Sequence, residues 1–195
     1  LSYMDLSGMD LTGIDLRGAN LQNTTLDYAT LDDADLRSID ASNASFVGAG
    51  MNDTFLQSAI FNRLDYTECG GHCGPANLTN AYLEYADLTD AYLRYSNLAN
   101  AQLEYANLAN AQLGYVNLTD AYLRHSNLVN TNLFYANLNN ADLFSADLTN
   151  VNLYQADLTD ADLRYAELAY TYLYRANFTN AVLDFANLDY ANLRE

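Results

Sequence analysis

Three sets of residues in this sequence have types and spacing that could do chemistry. The first is the segment Thr67-Glu68-Cys69-Gly70-Gly71-His72-Cys73-Gly74-Pro75, which holds both cysteines, one of the two histidines and the only proline. Cys69 and Cys73 with His72 between them offer soft metal donors. A structural zinc site takes four ligands at other spacings, however, and no further cysteine exists. A disulfide between Cys69 and Cys73 is a second reading and would imply an oxidising compartment. A glycine-rich loop with two free thiols is the third. Neither a metal nor a cofactor is expected.

The second set is the carboxylates. Asp142, Asp162 and Asp184 fall near one side, and Asp147, Asp157 and Asp160 near others. Paired carboxylates can act as acid and base, but that work needs a pocket to exclude water. Spread in this way, they read as a solvated surface. His125 has no Ser, Cys or metal-ligand partner in the pattern. No catalytic residues are assigned, and an enzyme is not expected.

The third set is aromatic. The chain has 17 Tyr and 7 Phe. Residues 20 apart place Tyr85, Tyr105, His125, Ser145, Tyr165 and Phe185 in one column. Tyr95, Tyr115, Tyr135, Gln155 and Arg175 form another, and Phe134, Tyr154 and Tyr174 a third. Contiguous exposed aromatics mark interfaces. They also stabilise a sheet face by stacking. The candidate protein-binding residues are Tyr85, Tyr95, Tyr105, Tyr115, Tyr135, Phe134, Tyr154 and Tyr174.

The backbone that must position these columns is visible as a period of five. From Leu78 to Leu193 every fifth residue is Leu, or Phe at Phe178, giving 24 consecutive repeats. Two residues before each lies a small residue, mostly Ala. An earlier stretch keeps the period in another phase, through Leu6, Leu11, Leu16, Leu21, Leu26, Leu31, Leu36, Ala41, Phe46, Met51, Leu56, Phe61 and Tyr66. The organisation is therefore 1–66, an interrupting loop or bulge at 67–77, and 78–195, in one continuous solenoid. Between Tyr66 and Leu78 the spacing is 12 instead of 10. A two-residue bulge, or a longer loop in place of a repeat, accounts for it.

Neither a helix nor a plain strand returns to one orientation every five residues. A short extended piece followed by a tight turn does. Ala-x-Leu then gives two inward residues with strand spacing, and the last two residues make the corner. Asp90, Asn100, Asn110, Asp120, Asn130, Asn140, Asn150 and Asp160 end alternate repeats. Asn and Asp tolerate the positive φ of a type II turn. Tyr85, Tyr95, Tyr105, Tyr115, His125 and Tyr135 end the others. Aromatics are poor at positive φ, so a second corner type is expected there. Two alternating corners need an even number of sides, and near-right-angle bends close the coil after four.

The motif Ala86-Asp87-Leu88-Thr89-Asp90 and its successors resemble the pentapeptide-repeat proteins, A-(D/N)-L-x-x, over nearly the whole chain. The resemblance implies an all-β fold, a right-handed quadrilateral parallel β-helix with four repeats per coil and about nine coils. It implies a non-enzymatic rod that binds proteins or acts as a scaffold. Similar proteins are common in cyanobacteria and plant thylakoid lumens, so a Cys69–Cys73 disulfide would suit a lumenal, periplasmic or secreted protein. Some family members confer fluoroquinolone resistance as acidic DNA mimics that bind DNA gyrase. That is the alternative reading.

Charge narrows the partners. The chain carries 25 acidic residues and 8 basic ones, all Arg, for a formal charge of −17. Nucleic acid needs Lys and Arg on its phosphates, and anionic membranes need basic patches. Neither is expected. No apolar run approaches the ~18 residues of a membrane helix. The expected partner is a protein, with end-to-end or side-by-side self-association as a further option because open coil ends present unpaired strand edges. The sequence opens on Leu1, as a processed chain or a segment of a longer one would.

Overall fold

A computed structural model describes residues 1–61 and 76–193, apart from positions 43, 47 and 58. One repeat shows how the chain builds it. In Ala106-Asn107-Leu108-Ala109-Asn110, Ala106 and Leu108 point inward and are 1% and 0% exposed. Asn107 between them faces out, as strand alternation requires. The N–H of Ala111 then donates to the carbonyl of Leu108 at 3.0 Å, which closes a four-residue turn. The third residue of that turn, Asn110, adopts φ of 60°.

All described corners use this geometry, with φ between 52° at Gln155 and 66° at Gly8. The expected second corner type does not occur among the described residues. Tyr85, Tyr95, Tyr105, Tyr115, His125 and Tyr135 lie at 61, 65, 60, 60, 57 and 56°. A left-handed conformation costs roughly 1–2 kcal/mol for an ordinary residue. The turn hydrogen bond and the ladders on either side of it hold each corner closed, so the cost is borne and the side chain adapts.

Parallel bridges join residues 20 apart, such as Asn77 to Asn97, Tyr82 to Gln102, Asp87 to Asn107 and Tyr92 to Gln112. Four five-residue sides therefore make one coil. Side 1 comprises residues 76–80 and their successors every 20 residues; sides 2, 3 and 4 start at 81, 86 and 91. Between rungs, backbone hydrogen bonds run both ways: Leu103 N–H donates to Tyr122 O at 2.7 Å, and Tyr122 N–H to Ala101 O at 2.9 Å. The Leu and Ala layers stack into one apolar core along the axis. Stability is then close to a sum over neighbouring rungs. At two positions where Thr or Ser replaces Ala, a carbonyl satisfies the hydroxyl: Thr131 Oγ1 donates to Leu108 O at 2.8 Å and Ser126 Oγ to Leu123 O at 2.7 Å, whereas the buried Ser96 hydroxyl has no partner. No described helix is long and apolar enough to cross a membrane.

Register changes once. Gly50 pairs with Asn77, Phe55 with Tyr82 and Ile60 with Asp87, each 27 residues apart. That coil carries seven residues more than the 20 of the others. Seven is one repeat plus two, and a five-residue period cannot tell a shift of seven from a shift of two. Ala76 is 1% exposed and Asn77 is in the ladder, so the second run is under way before Leu78. Residues 62–75, with Tyr66, Cys69, His72 and Cys73, lie outside the described residues, and so does the disulfide reading. Next to the change, Phe46 and Phe61 pack with ring centroids 5.6 Å apart.

Candidate functional site

The four corners are alike in backbone and divide by side chain into two kinds. On sides 1 and 3 from residue 76 onward the outward residue before the large core residue is Asn, Asp or Glu, and the oxygen of each Asn and Asp caps the turn that follows. Asp87 Oδ1 accepts the N–H of Thr89 at 3.1 Å, and Asn97 Oδ1 that of Ala99 at 3.2 Å. The amides also bond along the axis: Asn117 Nδ2 donates to Asn97 Oδ1 at 2.8 Å, and Asn127 Nδ2 to Asn107 Oδ1 at 3.0 Å. The corner residues repeat this, with Asn130 Nδ2 on Asn110 Oδ1 at 3.1 Å and Asn150 Nδ2 on Asn130 Oδ1 at 2.7 Å. Hydrogen bonds from Thr159, first from its hydroxyl, hold the Asp157 carboxyl below its usual range. These side-chain caps were not read from the sequence. The signal was present as Asp/Asn-Leu-Thr, an Asx-turn spacing.

The corners of sides 2 and 4 are aromatic. On side 2, Tyr85 stacks on Tyr105 at 5.1 Å and Tyr105 on His125 at 5.0 Å. Ser145 then takes the corner, and Phe144, one residue earlier, supplies the missing ring between His125 and Tyr165 at 5.9 and 5.3 Å. Phe185 continues at 5.0 Å. Side 4 behaves likewise. Tyr95, Tyr115 and Tyr135 stack at 5.0 and 4.9 Å. The third aromatic column merges with them: Phe134 meets Tyr115 edge-on at 5.1 Å, Tyr154 meets Tyr135 at 5.4 Å, and Tyr174 follows Tyr154 at 5.5 Å. Gly114 makes room for this, because a Cβ there would lie 2.2 Å from the Phe134 ring. All eight aromatic residues named from the sequence therefore sit on two diagonally opposite edges. Five of them, Tyr85, Tyr95, Tyr105, Tyr115 and Tyr135, remain 40–62% exposed despite stacking. Burial, then hydrogen bonding with Tyr154, pushes the Tyr135 phenol up.

The described arginines all lie on sides 2 and 4, Arg17 and Arg37 beside the corners Gly18 and Ser38 that precede the aromatic run. On side 2, Arg17 pairs with Asp15 at 2.7 Å, Arg37 with Asp35 at 2.5 Å, Arg124 with Asp142 at 2.5 Å and Arg164 with Asp162 at 2.6 Å. The Asp15 carboxyl is lowered to about 2, chiefly by its hydrogen bond from Arg17. Side 4 carries Arg94, with its guanidinium 5.1 Å from the Phe134 centroid, and Arg175, 5.2 Å from that of Tyr174. Beside Arg124 on side 2, Glu104 is pushed up, first by burial and also by Glu84 and Asp142. The carboxylates of Asp120, Asp142, Asp160 and Asp162 border a hollow that is open to solvent. Among the described residues no cluster of His, Cys, Asp and Glu could hold a metal ion.

A family model described as pentapeptide repeats matches the chain in 8 copies, over residues 1–40, 76–108, 101–140, 111–150, 136–169 and 156–195. Comparison with curated proteins returns no match. Among solved structures, the chain is 31% identical to HetL, a pentapeptide repeat protein involved in heterocyst differentiation regulation from the cyanobacterium Nostoc. The match covers 97% of this chain and 87% of HetL, with a TM-score of 0.47. Rfr23, a pentapeptide repeat protein from the cyanobacterium Cyanothece, is 33% identical over 50% of this chain and 64% of its own, with a TM-score of 0.38. QnrB1, a plasmid-mediated fluoroquinolone resistance protein, is 18% identical over 98% of this chain and 92% of its own, with a TM-score of 0.57. At that identity the likeness concerns the fold.

Proposed function

The chain belongs to the pentapeptide-repeat family, and from that premise we propose that it is a non-enzymatic scaffold that captures a protein partner through its aromatic edges. The observation that carries this reading is the run of contacting, partly exposed rings on side 2 from Tyr85 to Phe185 and on side 4 from Tyr95 to Tyr174. Stacking explains why adjacent rings sit together. It does not explain why a ring is restored from the neighbouring position, by Phe144 beside Ser145 and by Tyr154 beside Gln155. A continuous aromatic edge is kept even where the corner residue is polar. Aromatic side chains supply large contact area at low entropic cost, and they dominate interface hot spots. The carboxylate hollow, open to water, lacks the enclosure that acid–base chemistry requires.

The test replaces Tyr95, Tyr115 and Tyr135 with Ser and measures partner capture together with the far-UV circular dichroism melt. Loss of capture by a folded variant supports the reading; capture undiminished in a folded variant removes side 4. The DNA-mimic alternative would place the work on the acidic sides. What weighs against it is the interruption of those columns, as in Asp87, Asn107, Asn127 and Asp147, whose amides bond to their own neighbours. A mimic would inhibit gyrase supercoiling, lose its effect with salt, and depend on carboxylates more than on tyrosines.

A further inference from the structure

Side 4 differs electrostatically from the other three sides. Between residues 76 and 193, side 1 carries three carboxylates (Asp120, Asp157, Asp160). Side 2 carries five (Glu84, Glu104, Asp142, Asp162, Asp184), and side 3 five (Asp87, Asp90, Asp147, Glu167, Asp189). The side 4 repeats 91–95, 111–115, 131–135, 151–155 and 171–175 carry none, in a chain of formal charge −17. The same side bears Arg94 and Arg175. On side 2 each described arginine has an aspartate at 2.5–2.7 Å. On side 4 the two guanidiniums rest on rings, with no carboxylate in the side 4 repeats from 91–95 to 171–175 to receive them.

A cation above an aromatic ring keeps its outer N–H donors for another acceptor. Arginine donors arranged in this way suit carboxylates. We infer that side 4 docks an acidic segment of a partner protein, with Arg94 and Arg175 each receiving a carboxylate and the ring run between them packing its side chains. This rests on the reading of the aromatic edges as docking surfaces and adds the chemistry of the partner. The two arginines are four rungs apart, about 19 Å at the usual ladder spacing of ~4.8 Å. An extended peptide covers that distance in about six residues. The carboxylates of the other sides repel such a segment at long range, and at physiological salt that repulsion is screened beyond about 8 Å.

The experiment titrates labelled oligoglutamate, oligolysine and oligothymidylate into the full chain at low and physiological salt. Arg94→Gln with Arg175→Gln forms one double variant, and Arg124→Gln with Arg164→Gln the control. Gln is compatible with the corner conformation at 175, since Gln155 already holds φ of 52° on the same side. Thermal melts establish that both variants are folded. The expected result is oligoglutamate binding at physiological salt that weakens about tenfold in the side 4 variant, as two exposed ion pairs can contribute. The control should bind as the wild type does. Absence of oligoglutamate binding, equal loss in both double variants, or preference for oligolysine overturns the inference. Oligothymidylate binding that is lost in the side 4 variant overturns it too, in favour of nucleic acid. Partner capture that depends on the tyrosines, with no oligoglutamate binding, would leave the docking edge standing and remove only its acidic partner.

Discussion

The corners that end sides 1 and 3 and those that end sides 2 and 4 share one backbone conformation and differ in how their side chains are satisfied. At the first kind, Asn110, Asn130 and Asn150 hold positive φ at low cost, and their amides bond to one another. At the second, Tyr85, Tyr105 and His125 hold the same φ at higher cost and recover it by stacking at 5.0–5.1 Å. Each aromatic pair adds roughly 0.5–1.5 kcal/mol beyond area burial, about the size of the left-handed penalty. The amide corner spends its hydrogen-bonding capacity internally. The aromatic corner settles its strain and keeps half its surface available. Side 3 contains both solutions, since Asn150 gives way to Tyr170 and Tyr190, stacked at 5.1 Å.

The largest way to disturb this comparison acts beneath both kinds of corner. Ala106 lies in the filled core at 1% exposure. Ala106→Phe should cost about 1–3 kcal/mol or more through overpacking. Asn107→Ala should cost less, about 1 kcal/mol for an exposed ladder amide. Urea denaturation of the two variants measures the ranking. Equal midpoints would mean that the side chains called inward do not fill the core.

Next comes a change confined to an aromatic edge. A Cβ on Gly114 would lie 2.2 Å from Phe134, so Gly114→Ala should cost about 1–3 kcal/mol. The equivalent position on side 1 already holds Thr79 and Ala99, and Ala99→Thr should change stability by no more than about 0.5 kcal/mol. Adding Phe134→Ala to Gly114→Ala should return most of the loss. If it does not, the glycine serves the backbone and not the ring.

A smaller effect weighs strain against stacking directly. Tyr105→Asn keeps a residue suited to positive φ and removes two stacked contacts. Their loss, about 1–3 kcal/mol, exceeds the relief of about 1 kcal/mol, leaving a net destabilisation of about 1 kcal/mol. For a chain of this length that lowers the melting temperature by about 2–4 °C. A rise in melting temperature would show that the ring is held against its own preference, as a binding residue is.

Much of this was legible in the sequence, for an identifiable reason. The inward Ala106 and Leu108, the columns 20 apart and the need for a break near residue 66 all follow from periodicity, which a repeat states many times over. What was illegible depends on energies that balance. Tyr85 at a left-handed corner runs against single-residue preference, and only the neighbouring ring makes it tolerable. The size of the insertion was hidden because seven and two are equivalent in a period of five. Phe134, Tyr154 and Tyr174 read as a separate column because spacing alone does not reveal that Phe134 leans across Gly114 onto Tyr115. The absence of carboxylates from side 4 between residues 91 and 175 was written in plain residues, but it becomes visible only when repeats are grouped by the side they share.

The smallest prediction compares two single carboxyls, Asp157 and Glu104, by pH, with opposite signs. On side 1, hydrogen bonds from Thr159 lower the folded pKa of Asp157. A lowered carboxyl contributes stability above its unfolded pKa of about 3.9, and loses that contribution as pH falls through the folded value. Asp157→Asn keeps an acceptor for the Thr159 N–H and removes the titration. Its melting temperature should therefore fall less than the wild type's between pH 4 and pH 2. On side 2, burial raises the folded pKa of Glu104, and Glu84 and Asp142 add to it against the opposing Arg124. A raised carboxyl is destabilising once ionised, so its penalty grows as pH rises from about 4.3 through the folded value and is constant above. One Glu104 carboxylate oxygen is also buried without a hydrogen-bond partner. Glu104→Gln should therefore melt higher than wild type at pH 7, with the gain vanishing below about pH 4. Melting curves for both variants from pH 2 to pH 8 decide it. Shifts of the same sign would mean that burial does not penalise the Glu104 carboxylate and that its unpartnered oxygen carries no cost.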